Sequence, residues 1–137
     1  MPERRSFEYA TVRVVPRVER GECFNAGVIV WCRSLMWLGA RVALDHARLS
    51  ALAPDADVAT IHAHLASIEK IAAGGEGSGP IGALDAPERF RWLVAPRSTV
   101  IQVSEVHEGL CEDPAKALAH LFEQLVLPGS GNPGREP

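Results

Sequence analysis

Phe7-Glu8-Tyr9-Ala10-Thr11-Val12-Arg13-Val14-Val15 is the stretch that decides the fold. Its β-branched and aromatic residues alternate, Tyr9, Thr11, Arg13 and Val15 facing one way and Ala10, Val12 and Val14 the other, which is the period of a strand. Pro16 closes the stretch, because proline has no N–H to give to a ladder. Downstream, residues 24–32 read as a second strand and residues 37–44 as a third, joined by a short turn at Arg33-Ser34. Neighbouring strands with short connections predict an antiparallel meander.

After the meander the apolar period lengthens. Residues 45–52 fit one or two helical turns, closed before Pro54. Asp57 is the expected N-cap of the next helix, in which Val58, Ile61, Leu65, Ile68 and Ala72 recur at helical spacing and Gly74-Gly75 ends the run. Residues 74–82 hold five glycines and a proline and read as a flexible loop. Asp85-Ala86-Pro87-Glu88 has the form of a capping box opening a short helix through Trp92. Residues 98–106 alternate again as a fourth strand. Asp113-Pro114 is a cap followed by proline at the first helical position, ahead of the stripe Leu118, Leu121, Phe122, Leu125 and Val126. The order βββααα followed by βα predicts an α+β domain over residues 1–127, an antiparallel sheet of about four strands with helices packed on one face. Residues 128–137, rich in Gly, Pro and Ser, read as a disordered tail.

Composition sets the outer limits. The chain has 137 residues, 47% apolar and 23% charged, enough for one packed core. Its apolar runs are strand-sized, far short of the roughly 18 residues a membrane-spanning helix needs. The start, Met1-Pro2-Glu3-Arg4-Arg5, lacks a signal peptide's apolar region, so the expected compartment is the cytoplasm. Cys23, Cys32 and Cys111 lack metal-ligand spacing and read as small buried thiols. The net charge of -3 argues against general nucleic-acid binding. It is uneven: residues 1–48 carry eight arginines against five acids, and the remainder six bases against twelve acids. A basic sheet beside acidic helices explains this, and so does an anionic partner.

Chemistry-bearing residues are few. The segment Arg20-Gly21-Glu22-Cys23-Phe24-Asn25-Ala26-Gly27-Val28 puts a polar Arg/Glu/Asn set at the entry to a strand, where it either ties a turn or binds a partner. Gly27 inside a strand marks a bulge or a close backbone approach. Arg13, in an apolar strand, must lie exposed or find Glu22, Glu105 or a ligand anion, because an unpaired buried guanidinium is prohibitive. His62 and His64 are two apart on a helix and cannot share a metal as an i, i+4 pair would, so no metal site is expected. The glycine run follows a helix and lacks Gly-Lys-Ser/Thr, which excludes a P-loop. No cofactor is implied.

The blocks Arg13-Val14-Val15-Pro16 and Arg20-Gly21-Glu22 with Phe24-Asn25-Ala26-Gly27-Val28 resemble the bacterial family known as DUF3037, a domain of unknown function. Arg89-Phe90-Arg91-Trp92-Leu93, Arg97-Ser98, Gly109-Leu110 and Asp113-Pro114 are similar to it too, so that the likeness spans roughly residues 6–127. It implies no assigned activity. It implies a regulatory, toxin–antitoxin-like partnership, because such chains are encoded near a HipA-like kinase. The expectation is a non-catalytic interaction module that uses the segment at residues 20–27 and the exposed sheet face to bind a protein partner, that kinase or a second copy of the chain in a homodimer. The alternative is a small enzyme on an anionic or nucleotide-like substrate, with Arg13, Arg20 and Arg97 as clamps and Glu22 as acid or base; under either reading the expected binding residues are these four with Asn25 and Ser98. The two part on whether those side chains converge.

Overall fold

A computed structural model describes residues 3–127, so the expected tail at 128–137 lies outside the described residues. The three-strand meander is present as β1 (Arg5–Val14), β2 (Phe24–Cys32) and β3 (Trp37–Val42), with a 3-10 turn at Arg33–Leu35 between the last two. The helices are α1 (His46–Leu52), α2 (Val58–Ala73), α3 (Gly79–Gly82), α4 (Ala86–Val94) and α5 (Pro114–Leu125). Asp57, Asp85 and Asp113 cap α2, α4 and α5, accepting the backbone N–H of Thr60, Glu88 and Ala115. The glycine run is not wholly loop, since α3 forms inside it with Pro80 in its first turn. No helix among the described residues is long and apolar enough to cross a membrane.

The class is α+β, and two details differ from expectation. The single fourth strand is two, β4 (Ile101–Val103) and β5 (His107–Cys111), both antiparallel to β1: β4 pairs with its C-terminal half and β5 with its N-terminal half. Ser104 causes the break. Its hydroxyl accepts the Thr11 N–H at 2.9 Å, where a backbone carbonyl would sit in a regular ladder, and donates to the Glu105 carbonyl at 2.9 Å. The sheet order is β3-β2-β1, with β4 and β5 sharing the far side of β1.

Helices lie on both faces, not one. Val12, Val14, Ile29 and Trp31 join α2 and α4 in one core through Ile61, Leu65, Phe90 and Leu93. Phe7, Val28, Val30 and Cys32 join α5 in another through Leu118, Phe122 and Val126. A strand buried on both faces has no polar face to alternate with, and Val28-Ile29-Val30-Trp31-Cys32 is the continuous apolar run that results. Together these cores fix which half of the sheet is covered.

Candidate functional site

A bulge lies at the start of β2. Val12 faces Gly27 and Arg13 faces Asn25, leaving Ala26 as the extra residue. The bulge turns Asn25 toward α5, where its side-chain amide donates to the Leu125 carbonyl at 2.9 Å and satisfies the end of that helix. Gly27 is required by close approach. A Cβ there would come within 2.8 Å of Val42 Cγ1 and 2.9 Å of the Arg41 carbonyl oxygen.

The remaining residues singled out in the sequence do not meet. Arg20 and Glu22 bind each other at 2.8 Å on the exposed β1–β2 loop, and the Arg20 hydrogen bond holds the Glu22 carboxyl below its usual range. Arg97 closes α4, donating to the Leu93 and Trp92 carbonyls at 3.0 and 2.7 Å and stacking over the Trp92 ring. Burial lowers the Arg97 pKa; burial and then the nearby Arg97 charge lower that of His64. Ser98 is exposed in the loop that follows. Arg13, between the buried Val12 and Val14, projects from the opposite face to Arg97 and is half-exposed, with neither Glu22 nor Glu105 as partner. A clamp of Arg13, Arg20 and Arg97 on one substrate is therefore not formed.

Cys23 is exposed and Cys111 half-buried, so only Cys32 is the buried thiol expected of all three. Burial pushes the Cys111 thiol up, which keeps it protonated and weakly nucleophilic at neutral pH. Among the described residues no group of His, Cys, Asp and Glu is placed to hold a metal.

The exposed half of the sheet is the more informative region. On its face α5 packs over β2 and β3, and Arg41 stacks on Phe122 at 4.6 Å. Tyr9, Arg13, Gln102 and His107 are left partly or fully exposed, the Tyr9 and His107 rings 5.3 Å apart. β5 packs on β1, and no other element packs on it to a comparable extent among the described residues. A groove of about 500 Å³ runs beside it toward the start of α5, lined by Phe7, Cys111, Lys116, His120 and Leu121.

The direction of the backbone groups follows from the ladder. Thr11 turns both of its groups toward β4, its N–H to the Ser104 hydroxyl and its carbonyl to the Ser104 N–H at 2.9 Å. Alternation turns those of Tyr9, Phe7 and Arg5 the same way, onto His107, Gly109 and Cys111. The N–H and C=O groups of Glu108 and Leu110 consequently point away from the sheet.

Sequence reasoning missed this edge because it ran one strand through residues 98–106 and stopped there. The signal was present in His107-Glu108-Gly109-Leu110-Cys111, a further short strand whose glycine is covered from β1: a Cβ at Gly109 would meet the Phe7 ring at 2.8 Å.

The family model described as "Protein of unknown function (DUF3037)" matches residues 9–126. No curated protein and no solved structure matches the chain.

Proposed function

The chain belongs to the DUF3037 family, and from that premise we propose that it is a non-catalytic interaction module whose uncovered half-sheet docks a protein partner. One observation carries the reading. On the α5 face that helix covers β2, β3 and the Phe7 end of β1 with Tyr9 at its margin, while farther out Arg13, Gln102 and His107 on β1, β4 and β5 stay partly or fully exposed. Among the described residues Arg13 makes no ion pair. A half-exposed arginine on the same strand face as an aromatic pair is the composition that anchors protein interfaces.

The partner favoured by the family resemblance is a HipA-like kinase encoded nearby, with this chain as its regulatory companion. Co-expression of the two followed by size-exclusion chromatography tests the pairing. We expect a joint peak that Arg13→Glu weakens and Arg20→Ala leaves alone, since Arg20 is occupied by Glu22 on a solvent-exposed loop. Absence of a joint peak with the wild-type chain contradicts the reading.

A further inference from the structure

We infer that β5 is the docking strand, and that its occupant is an extended segment of a partner protein added edge-on, with an apolar and a basic residue at alternate positions. This deepens the interaction-module reading and rests on it. Three features of the edge select such an occupant.

The first is backbone. Glu108 and Leu110 hold their N–H and C=O groups outward, so an added strand can exchange both hydrogen bonds with each. The second is charge. Glu108 sits directly across from Glu8 in the β1–β5 register, and neither carboxylate has an ion-pair partner among the described residues. Like charges in facing positions repel, and a lysine or arginine on the added strand opposite Glu108 relieves that. The third is apolar surface. Leu110, two residues on and therefore on the same strand face, is 63% exposed, the largest exposure among the large apolar side chains of the described residues. The occupant that meets all three presents an apolar side chain to Leu110 and a cation to Glu108.

A second copy of the chain meets them poorly. Centring two β5 strands on Gly109 sets Leu110 against the partner's Glu108. Centring them on Glu108 or on Leu110 sets Glu108 against the partner's Glu108 or Glu112, like charge on like. The edge that invites a foreign strand thus discourages its own.

A phage-displayed library of random peptides, selected on the immobilised full-length chain, supplies the probe. Enriched peptides are synthesised, labelled and titrated by fluorescence polarisation. We expect them to carry an apolar and a basic residue two positions apart, and Glu108→Lys to abolish their binding. Leu110→Pro deletes an outward N–H without touching the β1 ladder, where proline is tolerated on an edge. It is expected to weaken them about tenfold or more, the equivalent of one good hydrogen bond to the strand. Wild-type thermal melting of Leu110→Pro confirms its fold, and Glu108→Lys, which leaves the backbone unchanged, serves if that variant does not fold. Peptides that bind both variants as tightly as wild type overturn the inference, as does a selection that enriches nothing. So does a wild-type dimer in sedimentation that Leu110→Pro dissolves. A kinase complex that survives both substitutions would sink this site while leaving the interaction-module reading intact; absence of any complex with the wild-type chain would sink both.

Discussion

At the β3 edge of the sheet, α2 and α5 pack alongside the strand, and the Glu69 carboxylate accepts the N–H of Val42 at 2.8 Å. That N–H points away from β2, because the next residue, Ala43, is the one that donates to the Ala26 carbonyl. At the opposite edge β5 packs on β1, and Glu108 and Leu110 face outward. Both edges contain a glycine under an aromatic ring, Gly39 under Trp37 and Gly109 under Phe7. Backbone geometry is therefore similar and the finishing differs. An edge left unpaired is an aggregation hazard that proteins block with side chains, helices or charge. This chain uses helices and a carboxylate on one side and a charge alone on the other, which is the pattern of an edge kept available.

The contrast can be broken at several points. Phe122→Ala removes the ring that seats α5 on β2 and on which Arg41 stacks, and should cost about 3–5 kcal/mol in urea unfolding. A much smaller loss would mean that the covered half is not a true second core. Glu69→Ala strands the Val42 N–H in a partly buried position and should cost about 1.5–3 kcal/mol, with Glu69→Gln recovering most of it by keeping an acceptor. Equal losses for Ala and Gln would show that the carboxylate acts by charge and not as the acceptor closing the edge. Leu110→Pro, at the open edge, should change stability by no more than about 0.5 kcal/mol, since the N–H it removes bonds nothing in the fold. A large loss there would place that N–H inside the ladder.

The smallest expected effect concerns pH and lies on the covered α2 face. Burial and Arg97 lower the pKa of His64 in the folded chain, so the unfolded chain takes up that proton first as pH falls. Stability from this source is complete above the unfolded histidine value of about 6.5 and declines as pH drops below it. Replacing His64 with Gln should flatten that part of a melting-temperature profile, and an unchanged slope would assign it to another group.

Local signals were legible in the sequence. Alternation from Phe7 onward marked β1, and three aspartates marked three helix starts, because strand period and N-capping depend on residues close in the chain. The second helical face was legible as well, in the unbroken apolar run of β2, which a one-faced sheet would have interrupted with polar residues. Ser104 was not. A serine that stands in for a carbonyl acts through Thr11, distant in sequence, and nothing beside it in the chain announces the break. The residues singled out in the sequence do not come together for the same reason. Arg20, Glu22, Asn25 and Arg97 stand out as polar residues, yet each is engaged in closing a loop or a helix end. The informative groups are backbone N–H and C=O groups at Glu108 and Leu110, whose availability depends on which strands pair.

Amide hydrogen exchange followed residue by residue in the free chain measures that availability directly. The account predicts slow exchange at Val42, although it lies on an edge, and fast exchange at Glu108 and Leu110 between protected neighbours His107, Gly109 and Cys111. Protection of Glu108 and Leu110 equal to that of Val42 would contradict it.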